Sequence, residues 1–216
     1  MAGRWRTTAF GALVASAVIA LAWIAFTPLH SPEAGEKRAQ LPAQRLVGQF
    51  LVATPQLSDP RFAESVIYIV ADDDGGAMGL IVNRVYGRGP LSALLSAFGV
   101  EGEGASGTVA LYYGGPVMPR SGFILHSGDY SGPETQEIVA GVSLSTGADA
   151  LRAMGAGEGP RQSRIMLGYA GWGPGQLADE IARGDWLTAS AGPALVFDDD
   201  AETLWKRIYP HAGKAL

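Results

Sequence analysis

An α+β fold with a largely antiparallel sheet is predicted by three features of the sequence. Short runs of β-branched and aromatic residues outnumber the helical stretches. They come in pairs joined by tight turns, as hairpins do. No regular strand–helix alternation of the kind that builds parallel sheets runs through the chain.

The elements follow in order. Gln49 to Thr54 (QFLVAT) is a short β-prone run closed by Pro55. Ser65 to Val70 (SVIYIV) is the second strand. Asp72-Asp73-Asp74-Gly75-Gly76 then turns the chain, and Ala77 to Asn83 returns as the other arm of a hairpin. Pro90 to Phe98 places apolar residues at 91, 94, 95 and 98, a single helical face that stops at Gly99. Thr108 to Tyr113 and Gly122 to His126 are strands linked through GGPVMPR, and Glu137 to Leu144 is one further strand. Thr146 to Met154 is a helix stopped by Gly155, and Arg164 to Tyr169 is a strand. Pro174 to Arg183 is a helix, Trp186 to Ala189 a strand, and Asp200 to Tyr209 a closing helix.

Composition bounds the chemistry. With 216 residues and 47% hydrophobic content, the chain is long enough to bury one domain core and carry an appendage. It has no Cys, which excludes disulfides, thiolate metal sites and cysteine nucleophiles. Charge divides unevenly: residues 1–45 carry a net +3, whereas residues 46–216 hold eleven Lys/Arg against nineteen Asp/Glu, a net −8. Affinity for a phosphate backbone comes mainly from Lys and Arg, so an acidic body is not expected to contact nucleic acid directly.

Residues 1–8 form a basic flank holding Arg4 and Arg6, followed by the uncharged run Ala9 to Phe26. As a helix that run spans about 27 Å, enough for a thin hydrocarbon core. Residues 9–27 are therefore expected to be a single-pass membrane anchor, with the side of the folded domain undecided by the flanking charges. Two alternatives stand: a cleaved export segment, or a start placed too far upstream, which leaves a cytoplasmic protein. Residues 28–45 are Pro-rich, charged and aperiodic, a flexible tether, and 46–216 are the folded domain.

Within that domain GYAGWGPGQLADEI, Gly168 to Ile181, sets a strand, a Gly-rich turn and a helix in series. Gly173 suits the cap and Pro174 the first helical position, leaving N–H groups that favour an anion. Gln176 and Glu180 share a face at i,i+4. The competing reading is a glycine-rich corner whose Trp172 plugs the core with its N–H bonded to backbone. Gly114-Gly115-Pro116 permits positive φ or close backbone approach, and His126 at a strand end can titrate near neutrality or serve as a hydrogen-bonded structural residue. His30, His126 and His211 form no ligand cluster, so no metal is expected. Asp72 to Asp74 suit a solvated turn, since Asn83 stands where a calcium loop needs Glu, and Asp198 to Asp200 suit a helix cap. No G-x-S-x-G is present.

Four stretches, FLVATPQLSDPRFAESVIYIV, GAMGLIVNR, YYGGPVMPRSGFILHS and GYAGWGPGQLADEI, with the DWL that follows, together resemble the bacterial YqgE/AlgH (UPF0301-type) family. They run in that family's order over about residues 46–210. Val85 stands where the family usually has Pro, Ala71-Asp72 replace a more polar pair, and Ala178 replaces the first Glu of the helix. The resemblance implies a bifurcated sheet folded into a pseudo-barrel with flanking short helices. It also implies a link to transcriptional regulation of exopolysaccharide production, without a recognised DNA-binding motif. Combined with the acidic body, it leads to the expectation of a regulator that works through a protein partner, with no catalytic residues and no cofactor. The alternative is a small-molecule-binding protein or enzyme with a pocket at Gly168 to Glu180. Candidate ligand- or partner-binding residues are Asn83, Gly114, Gly115, Pro116, His126, Tyr169, Gly171, Gln176 and Glu180.

Overall fold

The computed structural model describes residues 45–101 and 105–213. Ten strands and five short α-helices fall within them. The chain runs β1 (Gln49–Ala53), β2 (Val66–Asp73), β3 (Gly76–Ile81), β4 (Val85–Pro90), α1 (Leu91–Ala97), β5 (Thr108–Tyr113) and β6 (Val117–Ser127). It continues through β7 (Thr135–Val139), β8 (Val142–Ser145), α2 (Ala148–Ala156), β9 (Ser163–Trp172), α3 (Gln176–Ala182), β10 (Trp186–Ser190), α4 (Pro193–Val196) and α5 (Leu204–Ile208).

The strands join in one curled, mostly antiparallel sheet of order β10-β1-β2-β3-β9-β6-β8-β7, a half-barrel with a side branch. The branch starts at β9. Along one edge β9 pairs with β6, from His126↔Ser163 to Val117↔Tyr169. On the other edge its first half runs parallel to β5 (Leu111↔Ile165 to Tyr113↔Leu167), and its last residues run antiparallel to β3 (Ala77↔Trp172 to Gly79↔Ala170). The sheet is therefore bifurcated, and β4 extends the branch by pairing with β5.

Side chains sort by the two-residue strand period. One face gathers Phe50, Val52, Val66, Tyr68, Leu80, Tyr112, Leu125, Leu144 and Met166 into a single interior, closed by Val196, Phe197, Leu204 and Ile208 of the C-terminal segment. Burying each such side chain contributes about 1.5–3 kcal/mol, so this shared interior is the largest single source of the fold's apolar stabilisation. The other face splits in two. Leu51, Ile67, Ile81, Ala170, Trp172 and Trp186 meet Leu177 of α3, while Leu111, Ile124 and Ile165 meet Leu91, Leu94 and Leu95 of α1 and Leu151 of α2.

β9 serves both outer patches because its alternation breaks once. Ile165 and Leu167 face the α1–α2 side, whereas Ala170 and Trp172 face the α3 side. An even period would put these pairs on opposite faces. The break is at Gly168, whose φ of +70° suits glycine and shifts the strand by one residue.

Several sequence expectations are corrected here. The strand expected at Glu137 to Leu144 is a hairpin, β7–β8, turning at Ala140-Gly141. β9 continues through GYAGW to Trp172 rather than ending at Tyr169, so the Gly-rich turn is confined to Gly173–Gly175. Helix α3 starts at Gln176 with Gly175 (φ +75°) as its cap, so Pro174 is not the first helical residue. Helix α2 runs past Gly155 and stops at left-handed Gly157. The closing helix is three short pieces, Ala201–Thr203, Leu204–Ile208 and Tyr209–His211. β4 and α4 have no counterpart among the sequence-predicted elements.

The expected membrane location is also corrected: among the described residues no helix is long and apolar enough to cross a membrane. The flank, apolar run and tether assigned to residues 1–8, 9–27 and 28–45 lie outside the described residues, apart from Arg45.

Candidate functional site

The residues singled out from the sequence fall in four groups, Asn83 lying beside Gly114 and the Gln176–Glu180 pair beside Gly171, with His126 apart. Gly114 and Gly115 meet β9 at the fork, where a methyl group on either would overlap the backbone of Gly168 or Tyr169. Gly114 also links both branches, donating its N–H to the Leu167 carbonyl (2.8 Å) and accepting from Ile81 N–H (2.9 Å). Pro116 lies half-buried beside them, the Tyr169 ring packs edge-on against Phe123 (5.9 Å), and Gly171 is exposed opposite Met78.

Gln176 and Glu180 close a second arrangement. One Glu180 carboxylate oxygen accepts both indole N–H groups, from Trp172 and Trp186 at 2.8 Å each, and the other accepts Gln176 Nε2 (2.9 Å). The Gln176 carbonyl accepts the N–H of Gly173 (3.1 Å). Trp172 is therefore buried at 7% exposure as expected, but its N–H is bonded to a carboxylate instead of backbone.

His126 lies far from both. It pairs with Ser163, eight residues from Gly171 along β9. Fully buried, its Nδ1 is 2.9 Å from the Ser127 carbonyl and its Nε2 is 2.9 Å from Ser145 Oγ, which contacts Thr135 Oγ1 at 2.7 Å. With Nδ1–H donating to the carbonyl, the neutral ring leaves Nε2 to accept from the serine hydroxyl. Burial pushes its pKa down, against smaller upward pulls from the Ser127 carbonyl and Asp129.

Asn83 holds the start of β2: its Oδ1 accepts Val66 N–H (2.8 Å) and its Nδ2 donates to the Glu64 carbonyl (2.9 Å). Beside it an open hollow of about 490 Å³ is lined by Asn83, Arg84, Val85, Tyr86, Tyr113 and Glu202. Tyr86 is 52% exposed, set edge-on to Tyr113 at 5.5 Å. Arg84 donates to the carbonyls of Arg61 and Ala63, which ties the β1–β2 loop to the rim.

A second cavity, about 270 Å³, lies where β4, β5 and the start of β9 meet the C-terminal segment. Its floor is Arg164, which shares the inward face with Met166 and is only 2% exposed. The guanidinium donates to three carbonyls: Val196 (Nε, 2.6 Å), Val82 (Nη1, 2.9 Å) and Asp198 (Nη2, 2.5 Å). It also lies 4.7 Å over the Tyr112 ring. Among the described residues no carboxylate pairs with it. Burial drives its pKa down, with Arg88 adding to that, while Tyr112, Asp198 and Asp199 oppose it. In the sequence Arg164 stands only as the first residue of a strand. Its two-residue spacing from Met166 in RIMLGY was the one clue that it turns inward.

Comparison with known proteins agrees with this architecture. A family model described as AlgH-like matches residues 50–216. A UPF0301 protein of Methylococcus capsulatus is 53% identical over 169 residues, 78% of this chain and 92% of its own length. Another from Caulobacter vibrioides is 42% identical over 170 residues, covering 78% and 87%. The solution structure of the AlgH protein from Pseudomonas aeruginosa superposes with a TM-score of 0.64 at 38% identity, covering 79% of this chain and 90% of that one. A Corynebacterium diphtheriae protein shares the fold at TM-score 0.61 and 24% identity, over 79% and 88%. The family match starts beyond residues 9–27 and lends the membrane expectation no support.

Proposed function

This chain belongs to the AlgH-like family, and from that premise we propose that it is a non-catalytic regulator of transcription acting through a protein partner. The observation that carries this reading is the open hollow at Tyr86. A large aromatic side chain, 52% exposed, stands on a second aromatic ring with Arg84 fixed at the rim. Tyr and Arg are the residue types that anchor protein interfaces, and a preformed hollow reduces the ordering cost of binding. The net −8 of residues 46–216 supports a protein partner over nucleic acid, since it repels a phosphate backbone at any sequence.

The test is complementation in a host whose transcript profile changes when the gene is deleted. The parent chain and Tyr86→Phe restore the profile. Tyr86→Ala accumulates to the same level, melts at the same temperature and does not restore it. Full rescue by Tyr86→Ala overturns the assignment to this hollow. A sequence-selective, salt-dependent gel shift of DNA by the full chain at physiological salt overturns the partner mechanism itself.

A further inference from the structure

The Arg164 cavity is independent of the Tyr86 hollow and has different chemistry. An arginine has five N–H donors, and three carbonyls take one each from Nε, Nη1 and Nη2. One N–H therefore remains on each terminal nitrogen with no acceptor among the described residues. Buried charges normally have a counter-ion, because leaving water costs several kcal/mol per ion. Carbonyl dipoles and the Tyr112 face partly compensate Arg164, but no carboxylate completes the set.

The surroundings add to this. Arg88 lines the same cavity, exposed and without a described ion-pair partner. The other two formal charges closest to hand are already engaged: Asp198 pairs with Arg207 at 2.9 Å, and Arg161 with Asp129 at 2.6 Å. That leaves Arg88 and Arg164 against the single carboxylate of Asp199, a net positive cavity in an acidic body. Ala110, Tyr112 and Phe197, which share the inward face with Arg164, supply apolar wall. A volume of about 270 Å³ lies at the small end of ligand sites.

We propose that this cavity binds a small metabolite through its oxyanion group, a carboxylate or a phosphate ester, held between the two free Arg164 N–H groups and Arg88. Two oxygens of one anion meet two donors of one guanidinium, the arrangement that gives arginine its preference for such groups. Because three of the carbonyl and wall contacts come from Val196, Phe197 and Asp198, an occupant is sensed directly by the C-terminal segment.

The proposal stands or falls apart from the partner reading, since its test involves no partner. Isotope-labelled full chain is titrated at constant ionic strength with inorganic phosphate, glycerol phosphate or succinate, with sodium chloride as control. The amides of Thr108, Ile165 and Asp199 are expected to shift together and saturate, with Kd of about 1 mM or tighter for at least one probe. Phosphate-only or succinate-only saturation assigns the oxyanion source. Arg164→Gln strips donors from three carbonyls and is expected to unfold the segment, so the surface variants carry the test. Arg88→Gln should weaken binding about tenfold, the worth of one charge-assisted hydrogen bond, and Asp199→Asn should tighten it. Absence of saturation with all three probes overturns the proposal. So does equal affinity in parent, Arg88→Gln and Asp199→Asn.

Discussion

His126 shows how one buried ring couples the fold to pH. Nδ1 is engaged by the Ser127 carbonyl and Nε2 by Ser145 Oγ, so protonation gains no new partner and places a charge away from water. Its folded pKa lies below the ordinary 6.5, and the unfolded chain therefore binds the proton first as pH falls. Stability is complete above about 6.5 and declines as pH drops through the window beneath it. A melting temperature flat at neutral pH and falling below that value is expected, and His126→Gln should flatten the curve. Asp129, held down at about 2 by Ser127 and Arg161, adds its own loss only at much lower pH. Tyr68 is a residue-scale defect of the opposite kind. Its hydroxyl is fully buried with no hydrogen-bond partner among the described residues, and burial raises its pKa to about 12. Tyr68→Phe removes the unsatisfied group and keeps the edge-on contact with Phe50 at 5.9 Å. A stability gain of about 1 kcal/mol in urea denaturation is expected.

Strand β9 is the element on which the architecture turns. It pairs with three strands, changes faces at Gly168, and delivers Arg164 inward at one end and Trp172 to the α3 patch at the other. Gly168 approaches the Gly115 and Val117 carbonyl oxygens so closely that any Cβ overlaps backbone, and no side-chain rotation relieves it. Gly168→Ala should therefore abolish cooperative folding. Gly99 makes the control, since its φ is similarly +68° but nothing lies within 4 Å of an added methyl. Gly99→Ala should cost only the left-handed penalty, about 1–2 kcal/mol. A Gly168→Ala protein that melts like Gly99→Ala would show that backbone approach at the fork is not limiting.

For the whole molecule, the C-terminal segment completes the interior. A half-barrel leaves its concave face open, and Val196, Phe197, Leu204 and Ile208 cover it. Trp205 ties that segment to β1 through its N–H to the Ala53 carbonyl (2.8 Å), and its ring stacks on Tyr209 at 4.8 Å. Arg164 ties it to β9. A chain ending at Ser190 keeps the strands of the sheet but uncovers its apolar face. It is expected to lose near-UV dichroism and sharp melting while binding a hydrophobic dye. Cooperative unfolding of that truncated chain would mean that the sheet is stable uncapped.

Local pattern was enough for much of this. The strands at 49–53 and 66–73, the Asp-Gly hairpin between β2 and β3, and the helix at 91–97 follow from period and turn chemistry within a few residues. β4 escaped because VYGRGP alternates half-buried and exposed positions on a branch edge and carries two glycines and a proline. The glycine pairs were legible as points of close approach, but not what they approach. Gly115 lies over fifty residues from Gly168 and Tyr169, and that pairing exists only once β9 joins the fork. Glu180 and Gln176 were visible as one helical face. The engagement of Glu180 by Trp172 and Trp186 depended on how α3 docks on the sheet. Arg164 marks the boundary most clearly. The sequence shows a cation heading an apolar strand, whereas its burial requires carbonyls from Val82, Val196 and Asp198, 82, 32 and 34 residues away. Short-range periodicity determines which face a residue takes. Only tertiary folding decides which distant backbone groups compensate a buried charge, and so where a cavity able to bind an anion is left.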